Sequence, residues 1–409
     1  MRILVLSQYF WPETFVIHYV VEELVKQGHE VTVATGKPNY PDGKVFPGYK
    51  AAGLMREQYS DKVDVVRVPL WPRGAGGGKN LILNYLSFVV SGCIFFPWML
   101  RGKSFDHVFV FAPSPVTQII PGILIKWIKR ASLSLWVQDL WPESLVSTGY
   151  VKNKIALSVI RSAVKWMYSC CDRLLVQSKG FYAGLQGFGM NDKIRYLPNP
   201  TFDMRGGGRK PDGKLAEALA EGFSVVFAGN LGSAQSLDTI IDAATRLSNE
   251  GDIKIFLFGS GSRESEIKAE IARRKLGNVI LAGRYPLEEM PGIYQRSSTL
   301  LVTLKDEPAF ALTIPGKLQA YMAAGRPIIA CLPGEGARLV SEAGAGIASP
   351  ADNGEALADT IIKMKQLAPE ERNSMAENAR AYYLQNFTVE AVSALLVEQL
   401  SEIGMSGDK

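Results

Sequence analysis

The chain has 409 residues, 47% of them hydrophobic, and a formal net charge of +5. That is too apolar for a disordered chain and too long for one ordinary core, so two or three domains are expected. Four cysteines (Cys93, Cys170, Cys171, Cys331) lack CxxC spacing and three histidines (His18, His29, His107) are scattered, which supports neither a zinc site nor a disulfide framework.

No secretory leader is recognised, so a reduced cytoplasm is the expected compartment, and no histidine is assigned to catalysis. The charge is uneven. Residues 1–203 hold 23 Lys and Arg against 14 Asp and Glu, the remainder 22 against 26, which is +9 against −4. The basic residues accompany long apolar segments rather than an RGG array, an RNA-binding signature or a zinc finger. They point to an anionic membrane surface and not to nucleic acid.

In chain order, the apolar runs RILVLS, EVTVAT, VDVVRV, HVFVF, LSLWV, RLLVQ and IRYLP read as strands separated by helical patterns. Between them, PNYPDGK offers Asn39, Tyr40 and Lys44 beside an ordinary turn, and Arg73 to Asn80 forms a glycine-rich tract suited to a mobile loop. Leu81 to Leu100 follows with no charge in 20 residues and basic flanks at both ends. By length it spans a bilayer, dips into one, or forms a buried helix; Asn84, Gly92 and Pro97 argue against the span. QDLWPES, after the LSLWV strand, sets Asp139 and Glu143 around Trp141, and an aromatic face with carboxylates suits a sugar ring and its hydroxyls. The competing reading is a local cap and a core tryptophan. Further on, Lys154, Arg161 and Lys165 share a helical face with Ile155, Val159 and Trp166, a second membrane-like pattern.

Pro198, Pro200 and Gly206 to Gly208 have the composition of an inter-domain linker. Beyond it SVVFAG, IKIFLFG, VILAG, TLLVTL and PIIAC repeat the alternation, with Leu237, Ile240, Ile241, Ala244 and Leu247 on one helical face. Alternation in both halves predicts two doubly wound α/β domains, with ligand at the carboxyl ends of the strands. The turn from Phe227 to Asp238 brings Gly229, Asn230, Leu231, Gly232 and Gln235 to a strand–helix junction where amides meet a diphosphate, or where a turn simply packs. FGSGSR places Gly259 and Gly261 before a helix capped by Ser262 or Ser260. Glu264 and Glu266 already satisfy that helix dipole, so a ribose or base is expected there. Asp306 and Glu307 follow TLLVTL, and Glu307 is a candidate for sugar hydroxyls.

The run from Thr313 to Ala330 carries most weight. Pro315 suits a first helical turn, and Gly325 with Pro327 stops the helix before the strand PIIAC. Lys317 falls in that first turn, where the dipole disfavours a cation unless it faces an anion that the free amides also bind. The tail from Pro369 to Ile403 reads as two helices.

SQYFWPE, TGKPNYPDGKVFPGY, QDLWPES, GNLGSAQSLDTI, GRYPLEEMP and TIPGKLQAYMAAGRP together resemble the family 4 glycosyltransferases, and within them bacterial O-antigen and capsule transferases handling N-acetyl-L-fucosamine. The resemblance implies a GT-B fold of two facing Rossmann-like domains: residues 1–200 for the acceptor, 201–385 for the nucleotide sugar, and a C-terminal helix within 386–409 crossing back to the first domain. It implies a UDP-sugar donor, a polyprenyl-diphosphate-linked sugar acceptor, net retention and no metal or other cofactor, while the apolar segment and the basic helical face together predict attachment to the inner face of the cytoplasmic membrane. The family's usual Glu-x7-Glu is absent: its positions hold Leu312 and Ala320, with Gln319 beside the latter. Asn230 and Gln235 stand where a basic pair is usual. The diphosphate is therefore expected to rest on amides around Thr313, Ile314, Pro315 and Gly316, on Lys317, and on Arg263 or Arg284. A non-hydrolysing UDP-sugar 2-epimerase and a silent UDP-sugar-binding protein are the alternatives.

Overall fold

A computed structural model describes residues 1–74, 77–147, 153–205 and 213–406. Ala75 and Gly76 of the glycine tract, and Gly206 to Gly208 of the expected linker, lie outside the described residues. The chain forms two compact units, residues 1–199 with 389–409, and residues 200–388.

The first unit is built on an eight-stranded sheet. From edge to edge it runs Met55–Ser60, Val63–Val68, Glu30–Gly36, Arg2–Leu6, His107–Ala112, Ser132–Val137, Arg173–Val176 and Ile194–Tyr196. All neighbours are parallel except the first pair. Met55–Ser60 was not expected as a strand, because its MREQYS is polar and half exposed, as an antiparallel edge allows. The other strands carry the apolar runs that burial on both faces requires.

The helix Val389–Ser406 belongs to this first unit although the chain before it belongs to the second. Val392, Leu396 and Leu400, all 1% exposed or less, join one core cluster with Ile17, Val20, Val21 and Leu24 of the helix Ile17–Lys26. The returning helix implied by the family resemblance is thus present.

The second unit has a six-stranded, all-parallel sheet in the order Val279–Gly283, Ile253–Phe258, Phe223–Ala228, Thr299–Thr303, Ile328–Cys331, Gly346–Ser349. Gly346–Ser349 is short and carries one large apolar residue, so its alternation escapes notice in sequence. Chain order reverses between Phe223–Ala228 and Thr299–Thr303, and at such a switch point the following loops part to leave a crevice. The helix Leu237–Arg246 buries Leu237, Ile240, Ile241 and Ala244 on the sheet, each 1% exposed or less.

Candidate functional site

At the carboxyl ends of the three strands that begin the second unit lies a pocket of about 490 Å³, lined by Ala228, Gly229, Asn230, Phe258, Gly259, Ser260, Arg284, Tyr285, Met290 and Tyr294. Its walls combine two tyrosines, a phenylalanine and a methionine with backbone amides and one exposed arginine. Apolar faces with a few convergent polar groups suit a nucleoside with a charged tail.

Lys317 reaches the rim of this pocket. Its helix spans Gly316–Ala324, with Pro315 at the N-cap in extended conformation rather than inside the first turn. A Cβ added at Gly229 would sit 2.9 Å from Lys317 Nζ, so any larger residue there would push the ammonium aside from the end of the strand. Nζ donates to Gln235 Oε1 and stands 4.0 Å above the centroid of the Phe227 ring. Among the described residues no carboxylate pairs with it, and burial pushes its pKa down to about 7. A desolvated amine at a helix N-terminus, held only by an amide oxygen and a ring face, is arranged for an anion.

The two glycine loops serve each other as much as a ligand. A Cβ on Gly259 would fall 1.8 Å from the Gly229 carbonyl oxygen, and one on Gly261 would fall 2.4 Å from the Leu231 carbonyl. Leu231 N–H donates to the Ser260 carbonyl (2.9 Å) and Arg263 N–H to that of Leu231 (3.0 Å). Leu231 is buried, and Gly232 accommodates the Asn230 amide. The helix Glu264–Arg274 has Arg263, not Ser262 or Ser260, at its N-cap, without a side-chain cap.

Arg263 and Arg284 differ sharply. The Arg263 guanidinium is engaged with Glu266 (2.9 Å) and with both Asp238 oxygens (2.8 and 2.9 Å), which raise its pKa. Its charge compensates those acids and is not available to a diphosphate. Arg284 lines the pocket and forms no ion pair among the described residues. Thr313 bonds back to the Phe310 carbonyl and Ile314 packs into the core, so both shape the turn before Gly316. Gln319 is buried on the next helical turn. Glu307 is exposed, and its carbonyl accepts from Phe310 and Ala311 at the start of a one-turn helix.

Asp139 and Glu143 belong to the first unit. Asp139 is exposed, yet the atoms packed around its carboxyl push it up to about 6, with a Ser114 hydrogen bond acting the other way. Glu143 pairs with Arg161 at 3.3 Å, both half exposed, an interaction of little energetic weight. Asn39 is fully buried and accepts from Arg73 N–H (3.1 Å) and Asn84 Nδ2 (3.3 Å), so it organises the loops. Glu13, not singled out in the sequence, ties the first two loops together by accepting from Asn39 and Tyr40 N–H (2.8 Å each) and Phe10 N–H (3.1 Å).

The apolar segment forms the helix Gly78–Met99, long and apolar enough to cross a membrane. Asn84, Phe88, Gly92, Phe96 and Met99 face inward, and a Cβ on Gly92 would meet Pro121 Cγ at 2.8 Å. The opposite stripe, Ile82, Leu86, Val90, Ile94 and Trp98, recurs every four residues and is 54–59% exposed. Trp127 and Ile128 on the helix Ile120–Lys129, and Ile155, Val159 and Trp166 on Lys154–Ser169, are also exposed.

Tyr285, Met290 and Tyr294 were missed as pocket residues, because aromatic and apolar side chains near a strand end look like core. Phe227 beneath Lys317 was missed for the same reason.

Residues 14–200 match the family described as glycosyl transferase 4-like domain, and residues 222–366 that described as glycosyl transferases group 1. The probable glycosyltransferase WbjE of Pseudomonas aeruginosa is 27% identical over 64% of the chain and 65% of its own length, just under two thirds. The colanic acid biosynthesis glycosyl transferase WcaI of Escherichia coli K12, named as putative, is 27% identical over 80% of the chain and 82% of its own length. The crystal structure of Anabaena HepE in complex with UDP superposes with a TM-score of 0.67, at 16% identity, covering 98% of the chain and all of that structure. With both domain families matched in order on two parallel-sheet α/β units, the chain belongs to the family 4 glycosyltransferases and has the GT-B architecture.

Proposed function

We propose that this glycosyltransferase moves an amino-deoxy sugar, N-acetyl-L-fucosamine, with retention from its UDP derivative to a sugar on a polyprenyl diphosphate carrier in O-antigen or capsule assembly. The observation that carries the reading is the Lys317 amine at a helix N-terminus, bonded to Gln235 Oε1 with no acid partner among the described residues, against Gly229 on the rim of a pocket of nucleoside size. HepE was solved with UDP, the name of WbjE speaks of glycosyl transfer, and that of WcaI speaks of colanic acid biosynthesis.

In this reading the base and ribose occupy the pocket beside Tyr285 and Tyr294. The diphosphate meets Lys317, Arg284 and the first amides of the helix Gly316–Ala324, and Glu307 serves the sugar hydroxyls. As the glycosidic bond to the diphosphate breaks, the departing oxygen takes the acceptor hydroxyl proton on the same face, and that hydroxyl oxygen bonds to the anomeric carbon. Lys317 and the amides offset the developing charge, a preorganised electrostatic contribution that needs no metal. Asp139, with Glu143, is assigned to orienting the acceptor hydroxyl. The exposed stripe on Gly78–Met99, with Trp127, Ile155, Val159 and Trp166 and the basic Lys154 and Lys165, suits peripheral attachment to an anionic cytoplasmic leaflet.

The test is mass spectrometry of a polyprenyl-diphosphate-linked N-acetyl-aminosugar after incubation with the protein, EDTA and a panel of UDP-sugars. One added N-acetyl-fucosamine mass is the expected result. Transfer of another sugar would correct the donor alone; no transfer from any donor, to an acceptor that a control transferase extends, would overturn the reading.

A further inference from the structure

We propose that the second unit carries a separate phosphate-dianion site at the end of its sheet opposite the nucleotide pocket. A cavity of about 250 Å³ opens there, lined by Gly222, Phe223, Ser298, Arg326, Arg372 and Asn373 among others. Phe223 begins one strand, and Ser298 and Pro327 immediately precede two more, so this is the amino-terminal edge. The nucleotide pocket lies beyond the carboxyl ends.

Both arginines are anchored by part of their guanidinium. Arg326 donates from Nη2 to the Ser297 carbonyl, while its Nε is buried without a hydrogen-bond partner. Arg372 donates from Nη1 to the carbonyls of Lys365 (2.7 Å) and Leu367 (2.9 Å) and lies over the Phe223 ring, 5.8 Å from its centroid. Neither has an ion-pair partner among the described residues. The acids on the bordering elements are committed elsewhere or face outward. Glu371 accepts from Ala368 N–H (2.9 Å), Glu250 and Asp252 hold Lys365 (3.3 and 2.7 Å), and Glu221 holds Lys254 (2.6 Å). Glu370 is exposed. Burial and the Arg372 charge both disfavour the Arg326 cation, so the cavity holds positive charge that no acid among the described residues offsets.

Guanidinium forks match phosphate oxygens in geometry and charge. Pro369, Arg372 and Asn373 also lie in the first two turns of the 18-residue helix Pro369–Asn386; Glu370 and Glu371 already occupy its first turn, so the two guanidinium groups and not the helix dipole carry the anion. The ligand chemistry is a phosphate dianion, as the free ion or as the phosphomonoester of a small sugar.

Calorimetric titration of the full chain in buffer free of phosphate and sulfate tests this, with inorganic phosphate and glucose 6-phosphate as probes. Saturable binding is expected that persists in Lys317→Met, which disables the other anion site, and weakens at least about tenfold in Arg372→Gln. Because Arg372 also caps carbonyls, Asn373→Asp provides a variant that keeps both arginines. Its carboxylate should raise the melting temperature in phosphate-free buffer and abolish phosphate binding. Tighter binding of glucose 6-phosphate would support a phosphomonoester, and binding of phosphate alone the free ion. The proposal is overturned by no saturable binding at millimolar concentration, by binding that Lys317→Met removes and Arg372→Gln spares, or by Asn373→Asp leaving binding intact. None of these outcomes depends on the glycosyl-transfer reading.

Discussion

Lys317 has no acid partner among the described residues, and that has consequences in both the empty and the occupied state. In the empty protein, burial lowers its pKa from 10.5 to about 7. The unfolded chain therefore binds more protons between those values, and the stability of the empty protein rises with pH through that window. Lys317→Met should raise the melting temperature of the empty protein near neutral pH, where the buried charge costs most. A bound diphosphate does the opposite, favouring the protonated amine. UDP affinity in the native protein is then greatest below pH 7 and falls above it, by up to about tenfold per pH unit. Calorimetry in two buffers of different ionisation enthalpy should detect proton uptake at pH 8. Lys317→Met should weaken UDP binding by about 1–3 kcal/mol and remove the uptake. An unchanged dissociation constant would exclude Lys317 from the diphosphate. The lysine was legible in sequence because a cation in a first helical turn contradicts the dipole. Its cradle was not, since Phe227, Gly229 and Gln235 lie more than 80 positions away and only the fold brings them to Nζ.

Among the elements, the helix Gly78–Met99 shows what periodicity leaves open. With few charges and apolar residues on every side, the sequence does not separate a span from a buried helix, and the structure divides it into two faces. Phe88, Gly92 and Phe96 pack inward, whereas Ile82, Leu86, Val90, Ile94 and Trp98 face out. Replacing Ile82, Val90 and Ile94 by Asp together should leave the melting temperature nearly unchanged, because the side chains are exposed. The same change should abolish sedimentation with vesicles containing anionic lipid. Vesicle binding equal to that of the native protein would remove this helix from the membrane reading. The glycine loops carry a similar lesson. GNLGSAQSLD reads as a diphosphate cradle and FGSGSR as a ribose or base loop, yet Gly259 and Gly261 are required where one loop crosses the backbone of the other.

At the scale of the whole molecule, the last helix makes the first unit depend on the far end of the chain. Leu396 is fully buried in the cluster that includes Ile17, Val20 and Leu24. Leu396→Ala should cost about 2–5 kcal/mol, read as a lower denaturation midpoint. A loss within experimental error would show that this helix docks loosely. By itself the sequence determined the two alternating α/β units, the long apolar helix, the returning helix through family likeness, and the place of Lys317 in a first helical turn. Each is written in local periodicity, or in a residue type that conflicts with its position. The tertiary structure alone decided that Arg263 is consumed by Asp238 and Glu266 while Arg284 has no ion-pair partner among the described residues, and that tyrosines wall the pocket. It also decided that Arg326 and Arg372 share a cavity. Charge compensation depends on which side chains meet, and residues separated by tens of positions meet only once the sheets have formed.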